Sequence, residues 1–508
     1  MMKIFNKEKY KIGLKNKIFF AFLIIYGITM IYLSYKINIS EDETYTLNTT
    51  SRNLAGVIKQ SYNFEAQPPA YFILFSLWRH LCSGLYFAKL FSLIFTGFAC
   101  FIFYQLSLLF VTKVKTAYWI AAIFLLNPFT VWAALEIRLY AFLIFLSVFS
   151  IYFFFRYYFE EKLKFLYIFL FICIIGLYTQ YFFIFLITSL SFIILIFKGW
   201  KKFFRFCLCL IPIILLFLPN LQFLPKQISI QESIKGKQYP FLVISEIAHS
   251  PQSLILAINL VPNAWINRFI RITFIFSAIY IYYKVYKQHL TQRNIFFEKY
   301  NIVLLSILIM LVLFSVGFVI TDVGYANKYM VTVFPFFILL FTIFEYYPFV
   351  LRRLIYGIIL MYYTILLTFN YLHPVKTYDF LSIAKYIKTI EQPNEPILIY
   401  RPAIALPFNY YYKGNNKVIP IPYPVKFDSS YIVNIKDSVE LKQTIEKIAT
   451  PSKSYLLISD NTPYEGTVNM NRPMITKYLQ THYFITLDTL FTGWSKYRPL
   501  QIRRFEKK

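Results

Sequence analysis

Three acidic residues stand together at the end of the first long apolar run of this chain. They are Glu41, Asp42 and Glu43, and the apolar run before them extends from Ile18 to Tyr35. A carboxylate beside a membrane can take the proton from an attacking hydroxyl group, which is the work of a general base. Charged groups close to a membrane are costly and are usually retained for a role. The alternative interpretation is a solvated helix cap, and the triplet alone does not decide between the two.

Two further pairs of ionisable residues lie between later apolar runs. Glu136 and Arg138 follow the third predicted membrane helix, and Asp322 and Lys328 lie between the ninth and the tenth. Cationic side chains of this kind can stabilise negative charge that develops in a transition state. Since all these segments are predicted to open on one side of the membrane, the groups can converge in one cavity. For Glu136 and Arg138 the alternative is a structural ion pair, because such pairs are often architectural.

The composition decides what kind of chain must position these residues. Of 508 residues, 58% are hydrophobic and 15% are charged, and the mean hydropathy is +0.54. Long apolar runs recur from Ile18 to about Asn370. They exclude a soluble globular enzyme for that region and predict a polytopic α-helical membrane protein. The net charge of +28 does not indicate nucleic-acid binding, because the basic residues cluster in short loops between the apolar runs. That distribution is typical of cytoplasmic loops.

The alternation of basic and polar loops predicts about eleven transmembrane helices, with the N-terminus in the cytoplasm and the C-terminus outside. The stretch 70–83 is too short for a span of roughly 20 residues. We therefore expect a juxtamembrane helix there, following the first outer loop at 36–68. A second, longer outer loop is expected at 220–267. The predicted spans are 18–35, 86–111, 117–134, 139–156, two within 165–197, 203–219, 268–285, 301–320, 329–348 and 354–371.

The composition changes after residue 373. Residues 1–373 are expected to form the transmembrane domain with its juxtamembrane helices, and residues 374–508 a small extracytoplasmic α/β domain. This second domain lacks a glycine-rich phosphate loop, so by position we expect it to cover the cavity or to engage the acceptor. Its predicted strands are 397–400, 455–458 and 500–502, and its predicted helices are 378–390, 438–449 and 472–480.

The five cysteines lie in or beside apolar segments, and none has metal-ligand spacing with a histidine. We interpret them as small core residues. They are Cys82, Cys100, Cys173, Cys207 and Cys209.

An ordered set of short motifs, each at the predicted outer end of a helix, resembles a known family of membrane enzymes. The family is the polyprenol-phosphate-sugar-dependent glycosyltransferases of the GT-C fold. Within it, the chain is most similar to the bacterial branch related to protein O-mannosyltransferases and aminoarabinose transferases. The motifs are Asp42-Glu43, Gln67-Pro68-Pro69-Ala70-Tyr71, Lys89-Leu90, Asn127-Pro128, Glu136-x-Arg138-x-Tyr140, Tyr178-Thr179-Gln180-Tyr181-Phe182, and Lys328-Tyr329 six residues before Pro335.

Four positions depart from the pattern of these relatives. Gln67 and Gln180 stand where histidine is common, and Lys89 and Lys328 stand where arginine is common. Lysine keeps the positive charge but loses the bidentate geometry with which arginine binds a phosphate. Glutamine cannot ligate a metal as histidine does. The resemblance therefore does not support a histidine-based metal site; no cofactor is assigned, and a divalent metal stays an open alternative.

The resemblance implies transfer of a sugar, with inversion, from a polyprenyl-phosphate donor to an acceptor glycan, lipid or protein. The reaction is implied at the extracytoplasmic face of a bacterial inner membrane, with membrane lipid and no nucleic acid as partner. Asp42 is the implied general base, with Glu43 as its neighbour or as an acceptor-positioning group. The implied donor-phosphate residues are Arg138, Lys328 and Lys89. The implied substrate-positioning residues are Glu136, Tyr140, Tyr71, Gln67, Gln180 and Tyr329.

Three other functions compete with this one. A transporter or flippase of lipid-linked glycans predicts glycine- or proline-broken segments at the bilayer midplane and repeated halves. The chain has only 14 glycines, and its charges lie at helix ends. A glycan polymerase or ligase usually depends on a large late outer loop, whereas here the acids lie in the first loop. A structural anchor needs only one helix.

Overall fold

The computed structural model divides into two compact units, which are described separately. It describes residues 17–235, 239–257, 260–261, 263–291, 295–321, 325–376, 378–427, 439–440, 442–443, 454–460, 471–492 and 499–507. The first unit, called the membrane unit, contains the described residues up to Tyr35 together with Ala66–Asn370. The second, called the α/β unit, contains Lys36–Glu65 together with the described residues from Tyr371 onward. From the sequence, residues 36–65 were expected to belong to the membrane domain. In the structure they pack with the C-terminal part of the chain.

The described helices include the long apolar runs of the sequence and several shorter, more polar segments. They are α1 (Lys17–Lys36), α2 (Glu41–Thr49), α3 (Leu54–Asn63), α4 (Ala70–Leu81), α5 (Leu85–Phe110), α6 (Val114–Leu126), α7 (Pro128–Leu135), α8 (Tyr140–Glu160), α9 (Leu163–Leu177), α10 (Phe183–Lys198), α11 (Trp200–Phe217), α12 (Leu224–Lys235), α13 (Pro240–Leu256), α14 (Ala264–Thr291), α15 (Ile295–Thr321), α16 (Phe334–Leu339), α17 (Phe349–Tyr371), α18 (Phe380–Ile390), α19 (Pro402–Tyr411) and α20 (Asn471–His482). Segments of 3₁₀-helix occur at Leu218–Phe223, Asn327–Thr332 and Leu340–Tyr346.

Seven of the described helices are long and apolar enough to cross a membrane, and the bent pair α6–α7 would add an eighth span. The shorter apolar segments among the described residues are Leu163–Leu177, Phe183–Lys198 and Phe334–Tyr346. Apolar side chains on the long helices are widely exposed, as Ile214 and Ile320 show at 56% and 77%. So much exposed apolar surface is unfavourable in water, and the chain is an integral membrane protein. The count of about eleven spans stays a prediction.

The third predicted span, 117–134, is wrong as a single straight helix, because the chain bends by 54° between α6 and α7. Pro128 opens α7 and has no N–H to continue the hydrogen bonding of α6. The Asn127 side-chain oxygen instead accepts a hydrogen bond from the first turn of α7. Its amide nitrogen donates to the Leu254 carbonyl at 2.9 Å and to the Tyr363 hydroxyl at 3.1 Å. The bend is therefore held by buried partners from α13 and α17.

The tenth predicted span, 329–348, is also wrong as one continuous helix. The chain runs there as 3₁₀-helix, then α16, then 3₁₀-helix again. Pro335 lies in the first turn of α16 and has no N–H, so a single α-helix cannot hydrogen-bond through it. The loop expected at 220–267 is not irregular either, because it contains the helices α12 and α13.

Among the described residues the α/β unit contains a five-stranded sheet in the order β2-β1-β3-β5-β4. The strands are β1 (Ile397–Tyr400), β2 (Val418–Ile421), β3 (Ser454–Asp460), β4 (Tyr483–Thr492) and β5 (Pro499–Lys507). β1 is parallel to both β2 and β3, and β5 is antiparallel to β3 and β4. Tyr400 pairs with Ser459, so β1 and β3 end at the same edge of the sheet.

Both faces of this sheet are covered. Ile399 contributes to a buried cluster that contains residues of α18 and α19, and Leu398 to a second cluster that contains Ile475 and Leu479 of α20. Strands buried on both faces need apolar residues at successive positions rather than at alternate ones. The strands predicted at 397–400, 455–458 and 500–502 and the helices predicted at 378–390 and 472–480 are confirmed. The helix predicted at 438–449 lies mostly outside the described residues.

Candidate active site

The predicted catalytic acids lie in the α/β unit, in the first turn of α2. Glu43 is fully buried, and one of its carboxylate oxygens accepts a hydrogen bond from the Ser40 backbone N–H at 2.6 Å. Ser40 is the cap residue of α2 and Glu43 is the third residue of that helix. The bond between them is half of a capping box, which fixes where the helix begins. The same oxygen lies 2.5 Å from the Lys376 ammonium. Glu43 is thus tied both to its own helix and to the C-terminal part of the chain.

Asp42 and Glu41 are half-buried on the same turn. A Glu41 carboxylate oxygen lies 3.5 Å from the Arg401 guanidinium. Burial, and next the negative charges of Glu41 and Asp42, hold the pKa of the nearby Tyr45 phenol well above its ordinary value. Tyr45 therefore stays an uncharged hydroxyl group beside the two carboxylates. Such a group can donate a hydrogen bond without adding a competing charge.

Arg401 belongs to a second set of polar contacts that the sequence analysis missed. It lies directly after β1 with a φ of +66° and donates to Asp460, at the end of β3, over 2.7 Å. The Tyr378 hydroxyl donates to the same Asp460 oxygen at 2.8 Å. Burial, and next the Asp460 charge, raise the pKa of Tyr378, so that phenol remains a donor. No local motif marks these residues, because their partners are far apart in the chain.

The predicted donor-phosphate and positioning residues lie in the membrane unit. The Lys328 ammonium faces the ring of Tyr140, 5.9 Å from its centre. Trp132 packs on that ring, with the two ring centres 4.8 Å apart. Arg138 lies two residues before Tyr140 and is only 6% exposed. The motif that contains Arg138 and Tyr140 therefore lies next to the motif that contains Lys328. Asp322 lies outside the described residues.

Glu136 and Lys89 are both buried in the membrane unit. The Ser92 hydroxyl, one turn after Lys89 on α5, donates to the Glu136 backbone carbonyl at 2.6 Å. The Lys89 ammonium donates to the Ser34 backbone carbonyl at 2.9 Å. These two bonds join α5 to the segment before α8 and to the end of α1.

The Pro-Pro segment and the turn after α9 are joined by a backbone hydrogen bond, from the Ala70 N–H to the Tyr178 carbonyl at 2.8 Å. Next to Ala70, the Tyr71 ring stacks on Phe75 and lies 6.3 Å from the Phe142 ring, between ring centres. Phe142 is on α8, two residues after Tyr140. Tyr71 therefore links the Pro-Pro segment to α8, the helix that begins at Tyr140, two residues after Arg138.

Gln180 and Tyr329 complete this set. Gln180 is buried, and its backbone N–H bonds to the carbonyl of Gly176. The ring of Phe182, two residues on, lies 5.3 Å from the ring of Tyr329, between ring centres. Among the described residues the side-chain oxygen of Gln67 is buried with no hydrogen-bond partner. The structure thus joins the segments that contain Tyr71, Gln180, Tyr329 and Tyr140 through contacts of the motif residues or of their near neighbours.

Among the described residues there is no group of three or more His, Cys, Asp or Glu side chains able to hold a metal ion. The glutamines at 67 and 180 lack the ligating ability of histidine. The five cysteines are free thiols. No residue set in the described part of the chain is therefore assigned to a metal.

The crystal structure of ArnT from Cupriavidus metallidurans in the apo state aligns with a TM-score of 0.53 over 95% of this chain and 98% of ArnT. The chain has the ArnT fold. The GT-C resemblance predicted from the motifs is confirmed for the fold, at 10% sequence identity. The structure of the same protein bound to undecaprenyl phosphate covers the same shares of both chains at 10% identity, with a TM-score of 0.44. No protein-family model and no curated protein sequence matches the chain.

Proposed function

We propose that this protein transfers a sugar from a polyprenyl-phosphate donor to an acceptor hydroxyl at the extracytoplasmic face of a bacterial inner membrane. The ArnT fold, which extends over 95% of the chain, supports membrane glycosyl transfer in general. The observation that carries the proposal is the contact of Lys328 with Tyr140, which joins two motifs nearly 190 residues apart. Motifs matched to a glycosyltransferase pattern in order along the chain are thus also neighbours in space.

The proposed reaction is a single displacement at the anomeric carbon. The acceptor oxygen forms a bond to that carbon, and the bond from the carbon to the phosphate oxygen breaks. The configuration at the anomeric carbon is thereby inverted. Asp42 takes the proton of the acceptor hydroxyl. The polyprenyl phosphate leaves with the electron pair of the broken bond. Asp42 is preferred to Glu43 as the base because the Glu43 carboxylate is fully buried, whereas Asp42 is half-buried and so can be reached by an acceptor.

The departing phosphate needs positive charge where its own charge develops. Arg138 and Lys89 are 6% and 3% exposed, and Lys328 lies over an aromatic ring. Cations buried in a membrane protein are costly and usually mark a substrate path. The burial of these cations supports a role in binding the donor phosphate rather than a role as solvent-exposed charges in a loop.

The substrate-positioning roles are proposed for residues on the segments that these contacts join. Glu136 and Tyr140 lie two residues before and two residues after Arg138. Tyr71 packs toward α8, the helix that begins at Tyr140. The remaining members of this set are Gln67, Gln180 and Tyr329. Hydroxyl, amide and carboxylate groups of this kind match the hydroxyl groups of a sugar.

The test is transfer by the purified full-length protein in lipid nanodiscs. A panel of polyprenyl-phosphate sugars is supplied together with envelope fractions as the source of acceptor, and the release of polyprenyl phosphate is followed by mass spectrometry. Release is expected with at least one donor. Asp42→Asn should lower it by about 100-fold or more. Asp488→Asn is the matched control, because Asp488 pairs with Arg503 at the surface of β4.

Two results would contradict the proposal. One is the absence of lipid phosphate release with every donor from a folded protein. The other is movement of the intact lipid-linked sugar across a sealed vesicle without release, which is the behaviour of a flippase. If Asp42→Asn releases lipid phosphate at the wild-type rate, another group acts as the base.

A further inference from the structure

The acidic segment, residues 38–49, is fastened to the C-terminal part of the α/β unit before its helix begins. The Asn38 side-chain nitrogen donates to the Tyr378 carbonyl at 2.5 Å, and its oxygen accepts from the Lys376 N–H at 2.6 Å. One carboxamide thus bridges the backbone groups of Lys376 and Tyr378. The next residue, Ile39, donates its N–H to the Tyr411 hydroxyl at 2.9 Å. Asn38 is 4% exposed, so these bonds are shielded from water.

Two ion pairs continue this attachment on either side of Asp42. Glu43 lies 2.5 Å from the Lys376 ammonium, with side-chain exposures of 0% and 9%. Glu41 lies 3.5 Å from the Arg401 guanidinium, in a half-buried contact. Removing one partner of a buried ion pair leaves the other charge uncompensated, so such pairs hold their elements firmly. Both neighbours of Asp42 are therefore held by cations from the region after the last membrane helix.

Arg401 lies at a special place in the sheet. The order of the strands in the sheet reverses at β1, because β2 lies on one side of β1 and β3 lies on the other. Arg401 follows β1 directly, and Asp460 ends β3 at the same edge. In open α/β sheets the carboxyl ends of parallel strands at such a reversal are where ligands bind. Here the group held at that edge is the Glu41 carboxylate of the same chain.

We propose that Lys376 and Arg401 are positioning residues for Asp42, and that the α/β unit serves as the platform that sets the place of this carboxylate. The proposal rests on the proposed function of Asp42 as the general base. A base must lie within hydrogen-bond reach of the proton it takes. A displacement of about 1 Å can lower a rate by roughly 100-fold. The C-terminal domain then acts on turnover without touching the substrate.

The test uses the full-length protein and separates turnover from attachment. Lys376→Met removes the charge and keeps most of the aliphatic side chain, and Arg401→Met removes the charge of the second pair. Each is expected to lower kcat by roughly 10- to 100-fold while the KM for the lipid donor changes by less than about twofold. Lys376→Arg should recover most of the lost turnover. Arg503→Met, which breaks a pair at the sheet surface, is the matched control and should leave turnover unchanged.

Hydrogen–deuterium exchange of peptides from residues 38–49 gives the second measurement. Exchange should be faster in Lys376→Met and Arg401→Met than in wild type and in Arg503→Met. Unchanged exchange would overturn the attachment. Faster exchange with unchanged kcat would overturn the positioning role. If the wild type itself transfers no sugar, the proposed function fails, and the attachment is still judged by exchange alone. If Lys376→Met does not fold, Arg401→Lys and Lys376→Arg provide the comparison.

Discussion

The ammonium of Lys328 lies 5.9 Å from the centre of the Tyr140 ring. A cation over an aromatic face is attracted by about 0.5–2 kcal/mol, which is enough to favour one rotamer of a lysine. Tyr140 begins α8, and Arg138 lies two residues before it. The contact therefore places the Lys328 ammonium beside the first residue of α8, two residues after Arg138. In the proposed function both cations bind the donor phosphate.

Lys328→Ala is expected to raise the KM for the lipid donor by roughly 10- to 100-fold, because a bond between a charged donor and a phosphate contributes about 1.5–3 kcal/mol. Tyr140→Phe keeps the ring under the Lys328 ammonium and should therefore raise this KM less than Tyr140→Leu, which removes the ring. Initial rates at varied donor concentration give the values. Lys284→Ala is the control, since Lys284 lies over the ring of Tyr280 elsewhere in the membrane unit. Equal donor KM values for Lys328→Ala and wild type would remove Lys328 from the phosphate site.

Glu345 is a buried carboxylate with a structural role. It accepts hydrogen bonds from the Thr112 N–H and hydroxyl and from the Lys113 N–H, over 2.7 to 3.0 Å. These donors lie in the turn between α5 and α6, so the carboxylate gives the backbone N–H groups of this turn a hydrogen-bond acceptor. Glu345→Ala is expected to lower the free energy of unfolding by about 1.5–3 kcal/mol, because it removes hydrogen bonds to a charged acceptor.

The measurement for Glu345→Ala is unfolding of the detergent-solubilised protein, followed by tryptophan fluorescence. Glu161→Gln is the control. Its carboxylate is 55% exposed and pairs with surface lysines, and such pairs contribute about 0–1 kcal/mol. If both variants unfold under the same conditions, the bonds of Glu345 do not contribute to stability as argued.

Gly176 lies at the end of α9, just before the turn that carries Gln180. A Cβ atom there would come within 2.5 Å of ring atoms of Phe183, and Phe183 is buried. Gly176→Ala is expected to lower stability by about 1–3 kcal/mol, as overpacked cores do. Gly97→Ala on α5 meets nothing within 4 Å and should be neutral or slightly stabilising. Melting temperatures of the two variants decide the point; equal values would contradict the packing at Gly176.

The fold was predictable wherever one physical signal dominates a whole segment. Length and apolarity predicted α5 and α8 nearly to their ends, and alternating short apolar and helical patterns predicted β1 and β3. The bend at Asn127 was not predictable from the apolar run alone. Proline is favoured in the first turn of a helix as well as at breaks, and the partners that hold Asn127 come from Leu254 and Tyr363, more than 100 residues later.

The residues of the candidate site were likewise predictable from the sequence only in part. Short motifs singled out Lys328 and Tyr140, because their residue types and spacing are local features of the sequence. Nothing in the sequence pointed to Lys376 or Arg401. Their partners on α2 are more than 300 residues earlier in the chain, and an isolated lysine or arginine in a polar domain has no pattern. Only the assembled sheet, with its strand ends at one edge, brings such residues together.

The hydroxyl of Tyr378 donates to Asp460 between two buried residues, and the pKa of this phenol is raised by burial and then by the Asp460 charge. Tyr378→Phe is expected to lower stability at pH 7 by about 1.5–3 kcal/mol, the contribution of a hydrogen bond to a charged group. Asp460 keeps its bond to Arg401 in this variant. The loss should therefore be smaller than that caused by Asp460→Ala, and unfolding in denaturant measures both.

The raised pKa also predicts how stability changes at high pH. A group whose pKa is higher in the folded state stabilises fully below its unfolded pKa, about 10 for tyrosine. This contribution is lost as the pH rises further, because the unfolded phenol ionises while the folded one does not. Tyr378→Phe should therefore flatten the decline of stability between about pH 10 and pH 12, since phenylalanine cannot ionise. Tyr239→Phe removes a phenol that is 77% exposed and should leave the slope unchanged. Identical slopes for all three proteins would mean that Tyr378 ionises as readily in the folded protein as in the unfolded chain.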